Sequence, residues 1–352
     1  MAGNDLKRIF RLLLPIFLCL WPYVAPAEMF PRLQQWERMH EAWANDDRLG
    51  KHDRHFTLES GGLTRHYNVH LPPNYDPKIP LPVVIYLHGG GGSIAAAYND
   101  KMDQSADRLG FILVIPAGTG KLTNHLLVWN IGTWADNACC GYAYQHHIDD
   151  VGFISKIIDE IKAKFAIDDR RIYATGISNG GLFSYLLGCA LPDKIAAVAP
   201  VAPPGIPDGC AASGPVSLIH VHGTGDLFAK YDGGKGGALF SGSSGVCFKN
   251  GSDKGEVCTV EPAEQQLAEW LKKDRCSEVP RTVYHNGAAS CYSYDGCAKS
   301  GEVEFCRIEG GGHAWPSGAQ YAPASKIGPV SYDMSFDQIW DFLKRHRLQK
   351  QR

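Results

Sequence analysis

The sequence has little net charge. Its 35 Lys and Arg stand against 37 Asp and Glu, leaving −2 over 352 residues. That balance excludes the basic footprint with which proteins grip nucleic acid. Long apolar runs are also scarce. The one at Leu12 to Leu20 is short for a membrane helix, which needs about 20 residues. No Cys-x-x-Cys pair occurs, and the close cysteines are the adjacent Cys139 and Cys140, so a zinc site of the usual spacing is not expected. There is no tandem repeat and no Ser/Pro-rich linker. The expectation is one domain over residues 28–352, with no cofactor and no metal.

Residues 1–27 read as a signal peptide. Lys7, Arg8 and Arg11 precede the apolar run, and Ala25-Pro26-Ala27 supplies a small-x-small cleavage site. Cleavage would remove three basic groups and Asp5, taking the charge from −2 to −4. The mature chain is then expected to be secreted or periplasmic, without membrane attachment. Cys19 leaves with the leader. The ten cysteines that remain are an even set in an exported chain, which argues for disulfides. Cys247–Cys258, Cys276–Cys297 and Cys291–Cys306 are the expected local pairs, with Cys139 or Cys140 offered to Cys189. Residues 28–52 read as an irregular arm that Trp36 and Met39 could pack.

From His55 the pattern alternates, pauses at Gly61-Gly62 and resumes to Leu71, as a β-hairpin does. Leu81–Leu87 is continuously apolar, the mark of a parallel strand buried on both faces. It runs into His88-Gly89-Gly90-Gly91-Gly92. Further strands are expected at 110–116, 171–174, 195–201, 215–222 and 302–308. Helices are expected around 151–165, 182–187, 264–273 and 336–343. The tail from Lys344 reads as solvated. His146-His147-Ile148-Asp149-Asp150 could suggest a metal, but the carboxylates open a helix and are better read as caps.

The chain's centre is Gly176-Ile177-Ser178-Asn179-Gly180. A serine between glycines at a strand-to-helix joint is the nucleophile-elbow pattern. The turn strains the serine backbone, and side chains at the glycine positions would collide with the strand and helix. The Asn179 backbone N–H then faces a developing oxyanion, joined by Gly89 and Gly90 of the glycine loop. Asp226 follows one expected strand and His313 another. A serine hydroxyl needs an imidazole to take its proton, and the imidazole needs a carboxylate to set its tautomer. The order Ser178, Asp226, His313 is that of the α/β-hydrolases. His88 is better placed to hold the glycine loop, and His222 to brace the Asp226 turn.

The chain resembles the α/β-hydrolase esterases grouped as poly(3-hydroxybutyrate) depolymerases, feruloyl esterases and acetylxylan esterases. The matching stretches are Tyr67 to Pro72, Leu87 to Gly91, Asp149 to Phe153, Ala174 to Gly181, His222 to Asp226 and Gly310 to Pro316. The resemblance covers residues 55–345 and implies Ser178 as nucleophile, His313 as base and Asp226 as acid. It implies a mostly parallel central sheet with helices on both faces. The stretch from Gly205 to Gly214 is too short for a helical lid, so no cap domain is expected. Trp129, Trp134 and Trp315 are candidate substrate contacts, and core packing is the alternative for each. The expected substrate is an ester on an oligomer or a decorated polysaccharide. A catalytically silent binding protein and a serine peptidase of the same fold are the competing readings. The chain departs from the family pattern after Tyr231, where a Gly/Ser-rich stretch looks inserted.

Overall fold

Alternation on either side of two glycines produces the first hairpin. Strands β1 (Asp53–Ser60) and β2 (Leu63–His70) pair antiparallel, with Ser60 opposite Leu63. Gly61 and Gly62 both have positive φ, 61° and 75°, as a tight two-residue hairpin turn demands. The computed structural model describes residues 52–120, 126–134, 137–210, 216–236, 247–249, 259–298 and 301–349. The leader, the Trp36–Met39 arm and the Cys247–Cys258 clip lie outside the described residues in whole or in part.

The chain continues through β3 (Leu81–Leu87), α1 (Ala95–Asn99), α2 (Met102–Leu109), β4 (Ile112–Pro116), β5 (Gly132–Trp134) and β6 (Asn137–Cys139). Next come α3 (Gly141–Gln145), α4 (Asp150–Lys164), β7 (Ile167–Ile177), α5 (Asn179–Ala190), β8 (Ala197–Val201) and β9 (Ser217–Gly223). Short strands β10 (Gly234–Lys235), β11 (Cys247–Lys249) and β12 (Thr259–Val260) lead to α6 (Ala263–Asp274). The described chain closes with β13 (Pro280–Asn286), β14 (Ala289–Tyr294), β15 (Val303–Ile308), α7 (Ala324–Ile327) and α8 (Phe336–Leu343).

The main sheet has ten strands in the order β1-β2-β4-β3-β7-β8-β9-β15-β14-β13. From β4 to β15 the neighbours run parallel, and the margins on both sides are antiparallel. The continuous apolar run of β3 now has its reason. Val83, Ile85 and Leu87 pack in one core with Phe153, Ile157 and Ile161 of α4. Val84 and Tyr86 pack in the other with Met102 of α2 and Ile339 of α8. Helices therefore cover both faces, and every position of the strand must be apolar.

Three expectations are corrected. The strands expected stop short of β13 and β14, which form a hairpin beside Val303–Ile308. Pro280–Asn286 is mostly exposed, so its side chains carry no buried-exposed alternation to mark a strand. Within the tail from Lys344, the described residues 345–349 are not loose. Leu348 exchanges hydrogen bonds with Arg170, whose Nε reaches the Leu348 carbonyl at 2.8 Å and whose own carbonyl accepts at 2.9 Å. Tyr173 Oη donates to the His346 carbonyl at 2.9 Å. The third correction concerns the cysteines. Cys189 pairs with Cys210, and Cys139 with Cys140, whereas Cys276–Cys297 and Cys291–Cys306 stand as expected. Cys291 and Cys306 are directly opposite in the β14–β15 ladder, so the strand register places the two side chains side by side.

Candidate active site

Ser178 sits at the joint of β7 and α5 with φ 59° and ψ −118°. A non-glycine residue held at positive φ costs of order 1–3 kcal/mol, and the surroundings must enforce it. They do so from both sides. The Ser178 N–H donates to the Val201 carbonyl at 2.9 Å, and its carbonyl starts α5 by accepting from Leu182 at 2.9 Å. A Cβ at Gly176 or Gly180 would strike the Leu87 carbonyl oxygen. The two glycines let β3, the elbow and α5 touch. Ser178 remains half-exposed between buried Ile177 and Asn179.

Asp226 and His313 meet because β9 and β15 are parallel neighbours with Gly223 opposite Ile308. The loops beyond those strand ends dock on each other, Gly225 N–H donating to the Gly311 carbonyl at 2.8 Å. His313 Nδ1 donates to Asp226 Oδ2 at 2.7 Å, with both residues buried. The other carboxylate oxygen, Oδ1, accepts from the N–H groups of Phe228 and Ala229 at 2.7 and 2.8 Å. Asp226 is thus a turn residue through one oxygen and the imidazole's partner through the other. Burial works to raise its pKa, but the His313 charge and hydrogen bonds from His222 and His313 hold it below the ordinary 3.8. The Phe228 ring lies 5.0 Å from that of His313, centroid to centroid.

His222 braces the turn, as its position suggested. Its Nε2 donates to the Ala229 carbonyl at 2.7 Å. That leaves Nδ1 to accept from His220 Nε2 at 3.1 Å, and His220 Nδ1 to accept from Tyr185 Oη at 2.7 Å. Burial pushes the His220 pKa well below 6.5, so this ring is neutral. Sequence reasoning did not single out His220 or Tyr185. Their only signal is a second histidine two residues earlier, on the same face of β9.

The glycine loop lies against Ser178. A Cβ built on Gly89 would sit 3.7 Å from Ser178 Cβ. Gly91 and Gly92 spend their N–H groups on the carbonyls of Leu127 and Gly89, at 2.8 and 3.0 Å. The N–H groups of Gly89 and Gly90 have no such partner among the described residues. His88 holds the loop. Its Nε2 accepts from Gly118 N–H at 3.1 Å, and its Nδ1 donates to the Gly89 carbonyl at 2.8 Å. Burial lowers its pKa to about 4, which keeps the ring neutral and that tautomer in place.

Of the two readings given for the tryptophans, cleft contact or core packing, the structure supports packing, because all three are buried. Trp129 is 0% exposed, Trp134 1% and Trp315 1%. Trp315 packs edge-on against Tyr86 at 5.3 Å, and Trp134 abuts Gly205. Trp129 lies between the rings of His88 and Phe183, at 4.8 and 5.0 Å. Among the described residues, the large apolar side chains that reach solvent beside the site include Leu126, 53% exposed and next to Gly91, and Leu227, 45% exposed and next to Asp226. No motif in the sequence marks them. The capping role assigned to Asp149 holds, its Oδ1 accepting from Gly152 N–H at 2.8 Å. Asp150 instead turns inward to Arg65 at 2.7 Å.

Residues 59–302 match the family model named Esterase. Feruloyl esterase B of Piromyces equi is 32% identical over 225 residues, covering 62% of this chain and 34% of that protein. The bifunctional acetylxylan esterase/xylanase XynS20E of Neocallimastix patriciarum is 28% identical over 292 residues, covering 81% of this chain and 34% of that protein. The chain therefore spans about a third of the length of these two relatives. Among solved structures, an acetyl xylan esterase from Aspergillus awamori superposes with a TM-score of 0.51 at 13% identity, covering 83% of this chain and 99% of that one. That likeness is one of fold: a large, mostly parallel sheet with helices around it, the α/β-hydrolase architecture.

Proposed function

This chain belongs to the Esterase family, and on that premise we propose that it hydrolyses carboxylic esters through an acyl-serine intermediate on Ser178. The observation that carries the reading is the buried His313–Asp226 hydrogen bond of 2.7 Å, in the chain order that follows a strained elbow serine. With Nδ1 committed to Asp226, His313 has Nε2 free to take the proton as Ser178 Oγ attacks the ester carbonyl. The same nitrogen returns the proton to the departing alcohol, and the acyl group stays on Ser178. Water, activated by His313 in turn, releases the acid. Asp226 stays ionised and stabilises the imidazolium. The N–H groups of Asn179, Gly89 and Gly90 are the proposed donors to the oxyanion.

Feruloyl or acetyl esters on a polysaccharide or its oligomers are the proposed substrates. The relatives named for those activities favour them over hydroxyacyl polyesters. Leu126 and Leu227 supply apolar rim surface for the acyl group. Export is part of the proposal, supported by the basic, apolar and Ala-Pro-Ala segments of the first 27 residues and by the disulfides. N-terminal sequencing of exported protein should begin at Glu28.

The test is Ser178→Ala, assayed on methyl ferulate, acetylated xylan and a hydroxybutyrate oligomer. Turnover should fall by roughly four to six orders of magnitude with the fold intact. A fluorophosphonate should label wild-type Ser178 and nothing else. Retained hydrolysis in the alanine variant, or label on another residue, would overturn the mechanism. Preference for the hydroxybutyrate oligomer would overturn the substrate assignment alone.

A further inference from the structure

Both candidate oxyanion donors from the glycine loop belong to peptide units that are gripped from their opposite sides. In a trans peptide the C=O and the following N–H point in opposite directions. A hydrogen bond that holds the carbonyl therefore sets where the N–H aims. The Gly89 N–H shares its peptide with the His88 carbonyl, and Trp129 Nε1 donates to that carbonyl at 3.0 Å. The Gly90 N–H shares its peptide with the Gly89 carbonyl, held by His88 Nδ1 at 2.8 Å and by Gly92 N–H at 3.0 Å. Such restraint matters at glycines, whose backbone flips at little steric cost.

Trp129 also reaches the other half. Its backbone N–H donates to Asn179 Oδ1 at 2.8 Å, and its carbonyl accepts from Asn179 Nδ2 at 3.2 Å. This two-point grip needs an acceptor and a donor side by side, which a carboxamide provides. Asn179 follows the nucleophile, and its backbone N–H is the third proposed donor. One fully buried residue thus contacts both segments of the hole, which are about ninety positions apart in the chain (88 and 179).

We infer that Trp129 is a positioning residue for the reaction, its indole N–H locking the His88–Gly89 peptide and its backbone locking Asn179 so that the donors converge on one oxyanion. The inference rests on the reading of Ser178 as nucleophile. It assigns to Trp129 a role in transition-state geometry, in place of the substrate contact its ring first suggested.

The experiment removes the indole N–H and keeps the ring. Trp129→Phe retains stacking on His88 and Phe183. A benzothiophene analogue of tryptophan placed at 129 retains the full volume and lacks only the N–H, so it serves if the phenylalanine variant does not fold. Losing one oxyanion-hole donor costs about 10²–10³ in kcat, so a loosened one should cost about tenfold to a hundredfold. The drop should fall on kcat with KM near wild type. Affinity for a boronic acid, whose tetrahedral adduct with Ser178 places an oxygen in the hole, should fall by a similar factor. Unchanged kcat and boronate affinity in the folded analogue protein would overturn the inference. So would a loss confined to KM. Fluorophosphonate labelling of wild-type Ser178 separates the two readings. Labelled wild type with an unaffected analogue protein defeats the Trp129 assignment alone, and unlabelled wild type defeats the esterase mechanism beneath it.

Discussion

Arg65 and Asp150, 85 residues apart in sequence, form a 2.7 Å ion pair in the interior, with side chains 3% and 0% exposed. The pair is a junction. Arg65 also donates to the Ala117 carbonyl at 3.1 Å, and its guanidinium lies 4.0 Å from the Phe153 ring centroid. Asp150 Oδ2 accepts from the Asn130 N–H at 2.8 Å, next to Trp129. Burial raises the Asp150 pKa against the pull of Arg65 and the Asn130 N–H. The first prediction is that Arg65→Met strands a buried carboxylate and destabilises the fold by about 3–5 kcal/mol. Urea denaturation of the two proteins measures it. The double variant Arg65→Met/Asp150→Leu should recover much of the loss, because no charge is then left unpaired.

Asp100 gives a prediction in pH. Burial raises its pKa to about 7, opposed by the hydrogen bond it accepts from the Tyr86 hydroxyl. The folded state therefore holds this proton more tightly than the unfolded chain, whose carboxyl has the ordinary value of 3.8. The contribution to stability is fully present below that value. It declines as pH rises through about 7 and is level above. Asp100→Asn keeps an acceptor for Tyr86 and cannot ionise. The variant's melting temperature should gain on wild type as pH goes from 5 to 8. A constant difference across that range would refute the assignment.

Asp226, the proposed triad acid, behaves in the opposite sense. The Asp226 pKa lies below 3.8, so its stabilising contribution is present above the unfolded value and is lost as pH falls through the lowered one. The profile of kcat/KM should show no inflection from this carboxylate above pH 3.8. Asp226→Asn keeps the shape but presents the wrong hydrogen-bond partner to Nδ1. Its kcat should drop by about 10⁴-fold. Steady-state kinetics against pH on both proteins checks the two statements together.

The histidine column behind Asp226 should matter through the turn. Replacing His222 by Phe leaves the Ala229 carbonyl buried without its donor, at about 1–3 kcal/mol. Thermal unfolding should report that cost. Replacing Tyr185 by Phe, at the far end of the column, should cost less, since His220 loses one donor and the Asp226 turn keeps its brace.

Non-reducing peptide mapping should recover linked peptides carrying Cys189–Cys210, Cys276–Cys297 and Cys291–Cys306. The first and second close spans of 21 residues and the third a span of 15. By loop entropy each contributes about 3 kcal/mol. Serine at both positions of a pair should lower the denaturation midpoint accordingly. Recovery of a Cys140–Cys189 peptide would contradict the packing of α5.

Much of the fold was legible because its signals are local. The apolar run of β3, the glycine pair at 61–62 and the 3.6-residue spacing of Val151 to Ile161 each lie within a few turns of chain. So do the elbow glycines on either side of Ser178. The β13–β14 hairpin was not legible. β13 faces solvent along most of its length, so nothing in its side chains had to alternate. Trp129 shows a different limit. A tryptophan in a long loop after a strand has the same sequence whether it meets a substrate or the interior.

The sequence alone determined the first hairpin, the parallel strands of the central sheet, the helices α4, α5, α6 and α8, the order Ser178, Asp226, His313, and the glycines that let three backbone segments touch. These depend on steric rules that operate within neighbouring residues. Only the tertiary structure decided the partnerships: Cys189 with Cys210, Asp150 with Arg65, and Trp129 with both His88 and Asn179. Hydrogen bonds and burial act over about 3 Å in space and carry no record of separation along the chain. Which side chains meet is therefore settled when β9 lies beside β15 and Trp129 docks on Asn179 at the start of α5.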